Sequence, residues 1–203
     1  MSKVAIIGNA GGGKSVLARQ LGRVLNLPVH VIADVQWQPG WRSAPIEVVS
    51  AVHESWLAKP KWIIDGWGTW EIIERRFDQA DTILIVDFPL RIHYRWALQR
   101  QVLAAMGLAR GLPPHGCRAL PVTLRLLNVM KYVNRELRPR LLSLASEERF
   151  RDRVVRLRSP RELRAFRRHV TELLCNRLTS RCSRQAARRV DSNREHLARA
   201  ACG

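Results

Sequence analysis

The feature that most constrains how this chain can fold is the stretch GNAGGGKS at residues 8–15, which directly follows the apolar run VAII. It matches the pattern G-x-x-x-x-G-K-[ST], and a helical pattern follows it, as that motif requires. The glycines let the backbone curl so that successive N–H groups point at phosphate oxygens. The lysine adds a mobile charge for the β- and γ-phosphates, and the serine hydroxyl can ligate Mg²⁺. The stretch therefore predicts binding of ATP or GTP with Mg²⁺ through Gly8, Gly11, Gly12, Gly13, Lys14 and Ser15.

The length and apolar content of the chain suit one α/β domain. With 203 residues, 46% of them hydrophobic, there is room for one core with a small insertion or tail. No stretch reaches the roughly 18 uninterrupted apolar residues of a membrane span. The N-terminus reads as a strand leading into the phosphate loop and not as a signal peptide. The four cysteines form no C-x-x-C pair, which favours free thiols. We therefore expect a cytoplasmic protein without a membrane segment.

The net charge of +18 is unevenly distributed along the chain. Residues 1–90 contain nine of the 35 Lys and Arg and nine of the 17 Asp and Glu, so the whole excess lies in residues 91–203. Such a basic region attracts polyanions, nucleic acid included. The alternative is a solvated arginine-rich surface, part of which clamps a phosphorylated substrate. A nucleic-acid partner is therefore kept as an open hypothesis.

Short apolar, β-branched runs alternate with helical patterns, which is typical of a doubly wound parallel sheet with five strands. Glycines and paired prolines predict a loop or lid at about 107–120. Beyond residue 174 the sequence has few large apolar residues and many arginines, so we expect a kinase-sized domain at 1–174 and a basic, disordered or loosely helical tail at 175–203. The predicted strands are 4–7, 29–33, 62–64, 83–86 and 154–157. The predicted helices are 14–26, 45–58, 70–77, 89–106, 121–137 and 160–174.

Three aspartates, Asp34, Asp65 and Asp87, follow predicted strands directly. In an open parallel sheet, ligands bind beyond the carboxyl ends of the strands. An acid there can hold Mg²⁺ through water, orient an acceptor hydroxyl or cap the next helix. We expect a catalytic or metal role for Asp65 and acceptor binding for Asp34. For Asp87, metal positioning and helix capping are both open.

Tryptophans are concentrated near two of these acids. Trp37, Trp41, Trp67 and Trp70 lie beside turns close in sequence to Asp34 and Asp65. An indole there can stack on a base or on a sugar ring, which predicts substrate binding. The alternative is that these side chains cover a mobile pair of helices.

The motifs taken together resemble a known family. GNAGGGKS with LARQL, then WQPGW, WIIDG, ADTILIVDFP and LRSPRE, in this order and spacing, resemble the adenylate kinase-like P-loop proteins described as DNA topology modulation proteins. The resemblance covers roughly residues 1–174. It implies a three-layer P-loop NTPase fold, a five-stranded parallel sheet in the order 2-3-1-4-5, an acceptor region around residues 34–70 and a lid around residues 107–120.

The resemblance also implies roles for individual residues. Asp65-Gly66 is similar to the D-G pair that opens the segment organising Mg²⁺ and the acceptor phosphate, although Trp67-Gly68 follows where relatives usually have Asn-Tyr. The helix with Arg91, Arg95 and Arg100 is similar to the arginine-bearing helix that leads to the lid. A planar guanidinium suits that role because it binds two phosphate oxygens and steadies the charge of the moving phosphoryl group.

The sequence therefore favours a Mg-ATP-dependent kinase that transfers the γ-phosphoryl group to a small, nucleotide-like acceptor. Its expected catalytic residues are Lys14, Asp65, Arg95 and Arg100, and its expected metal ligands are Ser15, Asp65 and Asp87. One alternative is a nucleic-acid-binding or regulatory protein that uses ATP as a switch. The other is a relative that binds ATP and transfers nothing.

Overall fold

The chain has an α/β fold, with a five-stranded parallel sheet flanked by helices. A computed structural model describes residues 1–108 and 122–172. The strands are β1 (Lys3–Gly8), β2 (Val29–Val31), β3 (Trp37–Gln38), β4 (Arg42–Ser43), β5 (Trp62–Asp65), β6 (Thr82–Val86) and β7 (Val154–Leu157). The helices are α1 (Lys14–Leu25), α2 (Ile32–Gln36), α3 (Ile46–Leu57), α4 (Trp70–Gln79), α5 (Leu90–Ala105), α6 (Thr123–Tyr132), α7 (Arg138–Ala145) and α8 (Glu148–Arg151), with a 3₁₀ turn at Pro39–Trp41 and a π-helical turn at Val133–Leu137.

The order of strands in the main sheet is β2-β5-β1-β6-β7, and all neighbours are parallel. Numbered among themselves, these five strands have the predicted order 2-3-1-4-5. The three central strands are the most apolar runs, and β5 and β6 are buried along their whole length. This is expected where helices cover both faces of a parallel sheet. The prediction of the fold class is confirmed.

Two parts of the acceptor region differ from the prediction. The second strand ends at Val31 and not at residue 33, because the chain turns there into α2. Asp34 was expected directly after a strand; this was wrong, since Asp34 lies within α2. Next, β3 and β4 pair as an antiparallel hairpin that the sequence did not predict. Its turn contains Trp41 with a φ of 61°, a left-handed conformation that is uncommon for a bulky residue.

The chain divides into two compact units, Met1–Leu163 and Arg164–Gly203. The structure describes residues 164–172 of the second unit, and they are helical. The predicted tail at 175–203 and nearly all of the predicted lid at 107–120 lie outside the described residues. Within the described parts of the chain, no helix is both long enough and apolar enough to cross a membrane.

One face of the sheet covers a core that includes two ionisable side chains. The apolar part contains Trp56, Trp62 and Phe77. Arg76 of α4 and His53 of α3 are both 0% exposed. Neither side chain has a hydrogen-bond partner among the described residues. Burial lowers the pKa of Arg76 to about 10, although attraction to Asp65 opposes this shift. Arg76 is therefore a buried cation at neutral pH, held near the carboxylate of Asp65.

Two buried histidines make the stability of the protein depend on pH. Burial, with the nearby charge of Arg76, lowers the pKa of His53 from 6.5 to about 3. Burial likewise lowers the pKa of His93 from 6.5 to about 4. As the pH falls from 6.5 to 5, the unfolded chain binds protons that the folded chain does not. The free energy of unfolding should therefore fall by up to about 1.4 kcal/mol per pH unit for each histidine.

Urea unfolding at several pH values between 5 and 6.5 measures this slope. His53→Leu should reduce the slope by the contribution of one proton, because it removes a titrating group whose nitrogens have no partner. An identical slope in the natural protein and in His53→Leu would contradict the assignment of His53.

Candidate active site

The loop between β1 and α1 has the conformation needed to surround a phosphate. Gly11 and Gly13 have φ angles of 70° and 76°, in the left-handed region that glycine adopts without strain. A Cβ atom on Gly8 would lie 2.3 Å from the carbonyl oxygen of Val86 on the neighbouring strand. Gly8 must therefore be glycine, because β6 packs directly against the point where the loop leaves the sheet.

A hydrogen bond joins this loop to the end of β5. The Ser15 hydroxyl donates to Oδ2 of Asp65 over 2.5 Å. The parallel pairing of Ile6 with Asp65 brings these two side chains to the same edge of the sheet. Asp65 is 1% exposed, and its other oxygen, Oδ1, has no partner among the described residues.

These two residues fit a magnesium ion bound to a nucleotide. A serine hydroxyl beside a buried carboxylate with a free oxygen is the kind of donor set that holds hydrated Mg²⁺ next to phosphates. Within the described residues, no three His, Cys, Asp or Glu side chains cluster as a metal site.

Lys14 lies near Asp65, and repulsion from Arg100 partly offsets its attraction to that carboxylate. Its ammonium group donates a hydrogen bond to the carbonyl oxygen of Asn9 over 2.9 Å. Burial lowers the pKa of Lys14; attraction to Asp65 opposes the shift, and repulsion from Arg100 adds to it. Burial also lowers the pKa of Arg100. Two desolvated cations that repel each other would be stabilised by a polyphosphate.

The two predicted arginines of α5 differ in their surroundings. Arg100 is half-buried and close enough to Lys14 to repel it, whereas Arg95 is exposed. Five residues along a helix turn through about 500°, so the two side chains point in different directions. The structure thus brings Arg100, and not Arg95, to the lysine of the phosphate loop.

Asp34 lies in α2 near the same group of charges. Partial burial raises the pKa of Asp34; Arg19 opposes the shift and Asp65 adds to it. These electrostatic effects place Asp34 within range of Asp65, despite the wrong prediction of its local structure. Asp34, Asp65 and the phosphate loop therefore lie near one another at the carboxyl edge of the sheet.

Asp87 is held by two arginines that the sequence did not point to. Its Oδ1 accepts a hydrogen bond from Arg138 Nε over 2.5 Å, and its Oδ2 accepts one from Arg156 Nε over 2.7 Å. Burial alone would raise the pKa of Asp87, but these hydrogen bonds hold the pKa below its ordinary value. The metal role of Asp87 stays a prediction, and the occupation of both oxygens counts against it.

Trp37, Trp41 and Trp67, which the sequence assigned to substrate binding, have different contacts. Trp67 donates from Nε1 to the carbonyl oxygen of Gly8 over 3.0 Å. Its ring lines a cavity of ≈ 20 Å³ that Asn9, Asp87 and Arg138 also line. A space of that size holds about one water molecule. Trp37 and Trp41 pack edge to face across the β3–β4 hairpin, with ring centroids 5.8 Å apart.

The fold is shared with solved structures of P-loop kinases. A shikimate kinase from Acinetobacter baumannii, solved with shikimate, superposes with a TM-score of 0.50 at 10% identity, over 89% of this chain and 94% of that one. A gluconokinase from Sinorhizobium meliloti 1021 superposes with a TM-score of 0.46 at 13% identity, over 91% and 97%. No protein-family model matches the chain, and no curated protein matches it in sequence. The comparison with the shikimate kinase therefore shows the fold, and the resemblance to DNA topology modulation proteins is not confirmed.

We expect the carboxylate of Asp87 to stabilise the fold. Asp87→Asn should lower the free energy of unfolding by about 2 kcal/mol, because it leaves two guanidinium groups without their buried partner. Asp78→Asn is the matched control, since Asp78 pairs with Arg149 on the surface and is half exposed. The control should cost less than about 1 kcal/mol. Equal losses for the two variants in urea unfolding would show that Asp87 is not a structural anchor.

Proposed function

We propose that this chain is a small-molecule kinase that transfers the γ-phosphoryl group of Mg-ATP to an acceptor hydroxyl. The observation that carries the proposal is the contact of Ser15 with Asp65 beside Lys14, at the carboxyl edge of the sheet. A glycine-rich turn that only joined a strand to a helix would need none of these three groups. The fold shared with the shikimate kinase supports the same class of reaction.

Each residue of the site would have a separate task. Gly8 to Gly13 would surround the phosphates with backbone N–H groups, and Lys14 would leave the Asn9 carbonyl to bind the β- and γ-phosphates. Ser15 and Asp65 would hold Mg²⁺, which neutralises charge on the phosphates and orients them. Arg100 would add positive charge as the phosphoryl group moves.

The acceptor would lie between Asp34 and Asp65. Asp34 would accept a hydrogen bond from the reacting hydroxyl and so direct its oxygen towards the γ-phosphorus. In the transfer, the new bond would join that oxygen to phosphorus, the hydroxyl proton would pass to the Asp34 carboxylate, the bond from phosphorus to the β–γ bridging oxygen would break, and ADP would leave. Trp37 and Trp41 would supply flat apolar surface for the acceptor. The roles of Arg95, the lid and a nucleic-acid partner stay predictions from the sequence.

The test is transfer of label from γ-labelled ATP, in the presence of Mg²⁺, to a panel of polyols, hydroxy acids, nucleosides and nucleoside monophosphates. Lys14→Met and Asp65→Asn should each lower the rate by about 100-fold or more, because each removes a charge at the transferred group. Lys61→Met is the matched control and should transfer normally, because Lys61 is exposed at the opposite edge of the sheet.

Two results would contradict the proposal. Unchanged transfer in Lys14→Met would place the activity elsewhere. Label that remains in ATP or appears only as free phosphate with every acceptor, while ATP still binds, would mean that the chain binds ATP without transferring phosphate to an acceptor.

A further inference from the structure

Three side chains donate hydrogen bonds to backbone carbonyl oxygens of the phosphate loop. The carbonyl oxygens of Gly8, Asn9 and Ala10 accept hydrogen bonds from Trp67 Nε1, Lys14 Nζ and His93 Nδ1, at 3.0, 2.9 and 2.9 Å. A loop that turns its N–H groups inward to a phosphate turns carbonyl groups outward. Those carbonyls then need donors, because an unpaired backbone group that is removed from water is costly.

The three donors differ in what a nucleotide would do to them. The ammonium group of Lys14 is itself a phosphate ligand, so it must leave Asn9 when ATP binds. The indole of Trp67 and the imidazole of His93 have no such task and can stay. We propose that Trp67 and His93 are positioning residues that hold the phosphate loop in its nucleotide-binding shape from two neighbouring elements. The inference rests on nucleotide binding by this loop, as in the proposed function.

His93 holds the loop from the side of α5. The helix packs so closely that a Cβ atom on Gly11 would lie 2.5 Å from the carbonyl oxygen of His93. The ring is 1% exposed and stacks on Phe88, with centroids 5.4 Å apart. Its low pKa, about 4, keeps the ring neutral at pH 7. A neutral imidazole has one N–H, which donates to the Ala10 carbonyl when the proton is on Nδ1; the backbone of Phe88 forms a second hydrogen bond with the ring.

Trp67 holds the loop from the side of β5. It follows Asp65 by two residues and packs against the core, with its ring edge to face with Trp70 at 6.1 Å. Its bond to Gly8 links the segment that carries the metal-binding acid to the first residue of the phosphate loop. Any movement of this segment when an acceptor binds would therefore also move the loop that holds the nucleotide.

The test is calorimetric titration of the full chain with ADP and Mg²⁺, with thermal stability measured on the same samples. Trp67→Phe keeps a ring and removes the N–H, and His93→Leu removes the donor. Each should weaken ADP binding about three- to tenfold, the worth of one neutral hydrogen bond. His93→Asn should restore binding, because its amide nitrogen can occupy the position of Nδ1. Trp70→Phe is the matched control for Trp67→Phe and should bind ADP normally.

The outcomes separate this inference from the proposed function. If the natural protein binds no ADP, the nucleotide site is wrong and both proposals fail. If it binds ADP and both Trp67→Phe and His93→Leu bind equally well, the kinase proposal stands and the positioning role is overturned. A loss of affinity that His93→Asn does not restore, or that Trp70→Phe shares, would mean a general loss of packing and would also overturn it.

Discussion

The arrangement of the site depends on the position of β1 between β5 and β6 at the centre of a parallel sheet. Because all three strands end at one edge, the phosphate loop that leaves β1 has Asp65 on one side and Asp87 on the other. The contact of Gly8 with Val86 is so close that no side chain fits between the loop and β6. The hydrogen bond from Ser15 to Asp65 then fixes the start of α1 against β5. Positive charge, a carboxylate oxygen and backbone donors therefore converge at one edge of the sheet.

The fold and the centre of the site could be predicted because their signals are local. The phosphate loop is a contiguous motif, and the buried strands are contiguous apolar runs whose type does not depend on distant residues. The segment after residue 31 was predicted less well, because its local signal points to the wrong type of structure. Its run VHVIA is as apolar as a strand, but the chain turns into α2 after Val31 and places Asp34 on a helix. The β3–β4 hairpin contributes only two residues per strand, too few for an alternating pattern to show.

The residues that support the site could not be predicted, because each acts on a partner far along the chain. Trp67 lies 59 positions from Gly8, and His93 lies 83 positions from Ala10. Arg138 lies 51 positions from Asp87. A sequence pattern shows that Trp67 is beside a turn and that His93 is on a helix, and both statements are true. The pattern does not show that their N–H groups face backbone oxygens of the phosphate loop. Only this contact distinguishes an indole that supports the loop from one that stacks on a substrate.

Asp65 attracts two cationic side chains, in addition to its proposed role as a metal ligand. Lys14 and the fully buried Arg76 are both attracted to it. A buried guanidinium without a counter-charge is strongly unfavourable, so the carboxylate stabilises the core as well as the site. Its Oδ2 is bound to Ser15 while Oδ1 has no partner among the described residues. The acid is thus held in place by electrostatics and by one hydrogen bond, and one oxygen stays available to a hydrated ion. Core stability and the proposed binding of Mg²⁺ would consequently depend on the same carboxylate, so a change at Asp65 should affect both together.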